Sequence, residues 1–287
     1  MESPSLQQRA RLCEMTVTLG DPDTAAALAR LYDVDMLEDQ GDLDLYLALA
    51  ARTGGPILEL AAGSGRLAVP LAEVGYEVTA VDLDSAMLAR LRLRAQQAGP
   101  AAAGRVKVVE ADLVDLPVQP GGPFRLAILA LNSIMLLQSR EAQREAFATM
   151  AKHLAPGGLA VVDVWLPAGE DLARYDGRLS LEYCRTDPDT GLEVTKTASA
   201  QYQAGAGAVA LTAIYEESTP GGSLRRWIRQ DLLRLVDAEE LRRMAQSVGF
   251  AVEVVAGDYD LEPISAHDER AIVVARRRGR PRSAVTV

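Results

Sequence analysis

The sequence predicts an α/β protein in which a doubly wound sheet of seven strands carries an antiparallel β-sheet inserted after its fifth strand. Three observations predict it. First, Pro56-Ile57-Leu58-Glu59-Leu60-Ala61-Ala62-Gly63-Ser64-Gly65-Arg66 is a short apolar run ending in an acid, a small-residue turn and a helix-forming segment. The first strand–turn–helix unit of such a sheet reads in this way. Second, strand-like and helical runs alternate from there to Trp165, as parallel strands joined by helices require. Third, the alternation then breaks into consecutive β-prone runs with short turns, which calls for antiparallel pairing.

Taken in order, Thr24–Leu31 is alanine-rich and helical. Asp42 then stands as the N-cap of a helix whose apolar residues Leu43, Tyr46, Leu47 and Ala50 recur at helical spacing. Gly54-Gly55-Pro56 closes it. After the glycine turn, Arg66–Val74 reads as a helix; Pro70 costs little there because the first amides of a helix have no partner. Tyr76–Val81 is the second strand, and Asp84 or Ser85 caps a helix with Met87, Leu88 and Leu91 on its apolar face. Val106–Glu110 is the third strand. Leu126–Leu131 is a continuous apolar run suited to a central parallel strand. Glu141–Leu154 is an amphipathic helix, Pro156-Gly157-Gly158 a tight turn and Leu159–Trp165 the fifth strand. The inserted runs are Leu179–Arg185, Leu192–Gln203, Val209–Tyr215 and Leu224–Val236, separated by glycine-containing breaks. Asp237 and Glu240 form a capping box for the helix that carries Leu241, Met244 and Ala245. Phe250–Ala256 and Ala271–Ala275 are the last strands; with no helix between them the final one is expected to run antiparallel, which puts the loop carrying His267 at the ligand end of the sheet.

The chain has 287 residues and a net charge of −10. That charge speaks against binding nucleic acid through a basic surface. Cys13 and Cys184 lie too far apart in sequence to suggest a disulfide framework, so a reducing, cytoplasmic setting is expected. No apolar run approaches the roughly 20 residues needed to cross a bilayer, and Met1-Glu2-Ser3-Pro4 does not read as a signal peptide. The five arginines between Arg276 and Arg282 read as a solvated tail.

The glycine turn admits two cofactor classes. Gly63-x-Gly65-x-x-Ala68 satisfies the dinucleotide pattern, in which a pyrophosphate sits on a helix N-terminus. Glu59 opposes that choice: a carboxylate at the strand tip would meet a phosphate at about 4–6 Å, a repulsion on the order of a few kcal/mol. A cationic ligand reverses the sign. S-adenosylmethionine carries an ammonium and a sulfonium and no phosphate. Glu59-x-Ala61-x-Gly63-x-Gly65 resembles motif I of the class I S-adenosylmethionine-dependent methyltransferases, with Ala61 where that pattern has its first glycine.

The resemblance implies a Rossmann-like methyltransferase sheet and roles for particular residues. Glu59, Ala61, Gly63 and Gly65 form the donor turn. Asp82, with Leu83 beside it, is placed to accept from the ribose hydroxyls, a charge-strengthened hydrogen bond. Asp112, beside Leu113, takes the adenine amino group, and Met87 packs beneath the ring or serves the core alone. Asn132, at the tip of the fourth strand, faces the methionine part and the acceptor. Asn132-Ser133-Ile134 departs from the Asn-Pro-Pro-Tyr type of motif, which makes planar-base methylases a poor match. Tyr32-Asp33 resembles a pair that folds over the cofactor, so Tyr32 is a candidate lid. The implied organisation is an N-terminal helical arm and lid (1–54), a cofactor-binding core (55–166), an antiparallel insertion acting as lid, homodimer surface or both (167–236), completion of the core sheet (237–276) and a basic tail (277–287).

Methyl transfer from a sulfonium needs positioning and desolvation more than acid–base groups. The sequence shows no metal-ligand spacing. Tyr32, Asn132 and His267 are the catalytic candidates, His267 as a general base in case the acceptor is a hydroxyl. His153, at the far end of a helix, reads as a surface group or helix-terminal cation. Arg185, Trp227 and Arg229 read first as a solvated strand face, with contact to an anionic or aromatic acceptor as the alternative. The resemblance places the chain near the small-molecule branch, including glycine N-methyltransferases and aminosugar N,N-dimethyltransferases. The expected function is methylation of a small molecule, at nitrogen in preference to oxygen, with S-adenosyl-L-homocysteine as the product. An NAD(P)-dependent oxidoreductase and a non-catalytic binding protein are the alternatives.

Overall fold

The computed structural model describes residues 21–279 except 39, 119, 120 and 220. The expected N-terminal arm before residue 21, Cys13, and most of the arginine tail lie outside the described residues. Helices α1 (Pro22–Asp35) and α2 (Leu43–Thr53) precede β1 (Ile57–Leu60). Then come α3 (Ala68–Glu73), β2 (Val78–Asp82), α4 (Ser85–Gln97), α5 (Pro100–Arg105), β3 (Val106–Glu110) and β4 (Phe124–Leu129). α6 (Arg140–His153), β5 (Leu154–Trp165) and the short α7 (Gly169–Arg174) lead into β6 (Asp176–Thr186), β7 (Glu193–Gln203), β8 (Ala208–Ser218) and β9 (Leu224–Arg234). α8 (Ala238–Ser247), β10 (Phe250–Ala256) and β11 (Arg270–Arg277) complete the chain.

Seven strands form one sheet in the order β10-β11-β5-β4-β1-β2-β3, and β6 to β9 form a second, four-stranded sheet in sequence order. β5, β4, β1, β2 and β3 are parallel, whereas β11 runs antiparallel to both β5 and β10. Strand order reverses between β1 and β4, so the crevice above the ends of β1, β2 and β4 is where ligands bind in open α/β sheets. Every residue of β1 is buried, as it must be when helices cover both faces. Successive side chains point to opposite faces. Leu58 and Leu60 join the core under α6 and α8, with Phe124, Phe147 and Leu241. Ile57 joins the core under α2, α3 and α4, with Tyr46, Leu71 and Leu88.

Local signals place the helix starts. Asp21 accepts from the amides of Asp23 and Thr24, both at 3.1 Å, with Pro22 in the first turn of α1. Ser139 caps α6 through the amide of Ala142 at 3.1 Å. Other expectations are corrected. Tyr32 and Asp33 lie inside α1, which runs four residues past Leu31. Asp42 is the N-cap of α2, as expected, but its side chain makes no capping bond; the buried carboxylate is taken by Arg66 at 2.5 and 2.7 Å. Only half of the capping box forms: Asp237 accepts from the amide of Glu240 at 2.7 Å, but the carboxylate of Glu240 turns to Arg234 at 2.9 Å. Pro156-Gly157-Gly158 lies within β5, whose pairing with β4 shifts register there.

The inserted sheet docks on α1. Leu31 and Val34 of α1 pack with Val194 and Tyr215. Polar groups close the seam: Asp35 accepts from the hydroxyls of Tyr183 (2.6 Å) and Tyr215 (2.7 Å) and from Lys196 (3.0 Å). Arg30 pairs with Asp187 and with Glu217. Asp33, one turn away, holds α1 to the core through Arg90, Arg94 and the hydroxyl of Ser64.

Candidate active site

The chain reverses sharply after β1. Ala61 (φ +52°), Gly63 (φ +54°) and Gly65 (φ +82°) all adopt left-handed backbone, a conformation glycine takes at no steric cost and alanine does not. The two glycines serve different ends. A Cβ on Gly65 would come 2.7 Å from the Leu91 side chain, so Gly65 lets α4 pack against the turn. A Cβ on Gly63 would meet only the ring of Tyr32, at 4.0 Å; its backbone faces open space.

That space is a cavity above the sheet, lined by Tyr32, Ala61, Gly63, Asp82, Leu83, Met87, Asp112 and Leu113, with α1 as its roof through Ala25, Leu28 and Ala29. Asp82 ties the site together: one carboxylate oxygen accepts from the Gly63 amide at 2.7 Å, the other from the Asp84 amide at 2.9 Å. Burial pushes its carboxyl above the ordinary value, and those backbone bonds pull the other way. Asp84 caps α4 through the amides of Ala86 and Met87. Asp112 accepts from the Val114 amide at 2.9 Å.

Four candidates do not line the cavity: Glu59, Gly65, Asn132 and His267. Glu59 lies buried beneath the turn, and its Oε2 has no hydrogen-bond partner. Burial, and after it Asp82 and Asp42, pushes its carboxyl up to about 8 against the opposing pull of Arg66. The expectation of a fixed negative charge there is thereby corrected: at neutral pH the acid is mostly protonated, because nothing in the protein fully compensates the anion. Asn132 has φ +63° and spends its side-chain oxygen on the Trp165 amide at 2.5 Å. It fastens the tip of β4 to the end of β5. His267 is exposed, its amide donating to Ser265 Oγ at 3.3 Å. The loop lies at the ligand end of the sheet, yet the imidazole is not brought to the cavity. His153 is buried, not a surface group; its ring nitrogens face the carbonyls of Thr149 (2.8 Å) and Pro117 (3.1 Å).

A second cavity opens between the inserted sheet, α1 and the end of α7. Tyr32 and Arg229 line both cavities and so stand at the boundary between them. Burial raises the phenol of Tyr32 above its ordinary value, which keeps it neutral. Arg229 is held by Asp231 through two bonds, at 2.8 and 3.3 Å. Sequence reasoning read Arg229 as a solvated strand face. Its place on β9 became legible only with the register against β8 and the docking of the sheet on α1. Arg185 instead holds the C-terminal carbonyl of Val34 at 3.1 Å, and Trp227 packs beside the seam. The reading also missed buried Asp163, which accepts from Tyr46 (2.8 Å), Arg270 (2.7 Å) and the Leu131 amide (2.8 Å) and so ties β5 to α2, β11 and the end of β4. A lone acid inside an apolar strand was the available signal.

The family profile described as methyltransferase domain matches residues 57–158, which contain the turn, Asp82 and Asp112. Cypemycin N-terminal methyltransferase from a Streptomyces species is 30% identical over 230 residues, covering 78% of this chain and 84% of that protein. The chain belongs to the class I S-adenosylmethionine-dependent methyltransferases. Among solved structures, this methyltransferase is similar to the CcbJ methyltransferase of Streptomyces caelestis, with 25% identity, a TM-score of 0.68, and 83% of this chain and 90% of that chain covered. It shares its fold with the sugar N-methyltransferase KedS8 of a Streptoalloteichus species at 22% identity and a TM-score of 0.67, covering 87% and 92% of the two chains.

S-adenosylmethionine is the methyl donor, and the residues of this methyltransferase fit it. Beneath the turn, behind the cavity wall, lies a buried carboxyl with an orphaned oxygen, which a cation bound above the turn would favour in its ionised form. The Gly63 backbone is uncovered, and acids stand at the tips of β2 and β3. The dinucleotide alternative, and with it the oxidoreductase, is set aside by the family match. Among the described residues no group of three or more His, Cys, Asp or Glu could hold a metal, and no helix is long and apolar enough to cross a membrane.

Proposed function

We propose that this methyltransferase methylates an amine nitrogen of a small-molecule or peptide acceptor bound in the second cavity. The observation that carries the reading is the make-up of the junction. Tyr32 there is a neutral phenol, Arg229 is engaged by Asp231, and neither His153 nor His267 lines either cavity. A hydroxyl acceptor calls for a general base near neutral pKa; an amine that arrives unprotonated needs none. When bound, S-adenosylmethionine supplies a methyl group on sulfonium for in-line displacement, the C–S bond pair passing to sulfur. The protein's part is to hold donor and acceptor in line and keep water away. Gly63, Asp82 and Asp112 fix the donor, Tyr32 closes the space between the cavities, and α1 roofs it.

The names of two relatives support the choice of nitrogen, one an N-terminal methyltransferase and one a sugar N-methyltransferase. The net charge of −10 speaks for a small acceptor over nucleic acid. The test is methyl transfer from labelled donor to matched panels of primary amines and of alcohols or phenols. Transfer to amines is expected, with a rate that rises as the acceptor amine loses its proton. Transfer confined to the hydroxyl panel would sink the reading.

A further inference from the structure

The second cavity has a charge pattern that differs from the surface of the chain. Among the described residues its lining carries four cationic and four anionic side chains, in a protein of net charge −10. Six of these are matched within the wall itself. Arg229 holds Asp231 through two hydrogen bonds, Lys196 lies 3.0 Å from Asp35, and Arg178 lies 3.0 Å from Asp176. Arg174 and Glu182 stand at exposed positions, one of each sign. Asp35 is further tied to the hydroxyls of Tyr183 and Tyr215, which fixes Lys196 at the back of the wall. At the junction with the donor cavity, where the reacting nitrogen must sit, the one cation is Arg229, and its partner is only two residues away on the same strand.

We propose that the second cavity is an acceptor site selective for amines that carry no phosphate or carboxylate, with the Arg229–Asp231 pair setting that selectivity. The inference rests on the amine reading above and adds the class of acceptor. A phosphate or carboxylate entering beside Arg229 meets a guanidinium whose charge is already matched by Asp231, through Nε and one Nη, and it brings its own charge against that carboxylate. Displacing Asp231 would leave a partly buried carboxylate without its partner. A hydroxyl or amide group meets no such penalty, because the paired side chains and the phenol of Tyr32 still offer hydrogen-bond donors and acceptors to neutral partners. In the reaction itself, the acceptor lone pair forms the N–C bond while the C–S bond breaks. The resulting ammonium gives its proton to water through the open mouth, so the wall needs no anion of its own to receive it.

The experiment uses acceptor pairs identical except for the anion: an amino sugar as its methyl glycoside and as its nucleoside-diphosphate ester, and a short peptide as its C-terminal amide and as its free acid. For the full chain, kcat/KM should be at least tenfold higher for the uncharged member of each pair that reacts. Asp231→Asn, which leaves Arg229 uncompensated, should narrow that ratio tenfold or more, mainly through KM, while the thermal shift produced by S-adenosylhomocysteine stays unchanged. A wild-type preference for the anionic members overturns the proposal. So does a ratio unmoved in a folded Asp231→Asn protein. The wild-type ratio alone decides in the event that the variant does not fold. A wild type that binds S-adenosylhomocysteine yet methylates no member of any pair overturns the amine reading itself, and this inference falls with it.

Discussion

At the scale of single residues, Glu59 makes the sharpest demand. Its carboxyl is pushed up to about 8 from an ordinary value of 4.5 because it is buried with one oxygen unpartnered. A group raised in the fold stabilises the fold most below its unfolded value and loses that contribution as pH rises through the folded one. The free protein should therefore lose stability between about pH 4.5 and pH 8, and Glu59→Gln should remove that part of the slope. A bound cation favours the ionised acid, so donor affinity should climb with pH up to about 8, with proton release on binding. Calorimetry in buffers of different ionisation enthalpy, run on wild type and Glu59→Gln, checks both. Equal pH slopes in the two proteins would remove Glu59 from the donor site. The sequence made the acid visible but not its protonation state. Its place before the glycines is a local pattern, whereas its solvation depends on α2, α3 and Arg66 closing over it. Asn132 departs from expectation for the same reason: it sits in a suitable stretch of chain, and its bond to the Trp165 amide turns it to another use, whereas His267 stays exposed on its loop.

At the scale of elements, the seam between α1 and the inserted sheet governs the site, since α1 roofs the donor cavity and the sheet walls the other. Asp35 receives three donors in that seam. Asp35→Ala would leave two phenols and an ammonium without their acceptor, costing about 1–3 kcal/mol. Hydrogen exchange should show the loss in α1 and β6 to β9 while β1, β4 and β5 keep their protection; uniform loss throughout would contradict this division. The four strands of the insertion were legible from their turns, and the core strands from their apolar runs. The docking of the insertion was not, because Asp35, Lys196 and Tyr215 are far apart in sequence and no periodicity links them. The extent of α1 was misjudged from Tyr32-Asp33, which look like a loop pair locally but are carried into the helix by packing of Leu31 and Val34.

At the scale of the whole molecule, charge and topology act together. A chain of net charge −10 attracts a donor that carries a net positive charge in its methylated form and none after transfer. Association of S-adenosylmethionine should slow as ionic strength rises, and that of S-adenosylhomocysteine should change little. Stopped-flow binding at two or three salt concentrations reads this directly, and identical salt slopes for the two would contradict it. The strand-order reversal between β1 and β4 gave the location of the site from topology, and the sequence carried enough of that topology to find it. The partition of the crevice into two chambers came from the insertion folding back on α1, a long-range event.

That partition also sets the traffic of a catalytic cycle. The proposed donor cavity lies under a helix clamped at both its faces, through Asp33 to the core and through Asp35 to the inserted sheet. On the donor reading proposed above, ordered turnover is the expected outcome, with the nucleoside binding first and the spent thioether leaving last; product-inhibition patterns check it, and a random order would contradict it.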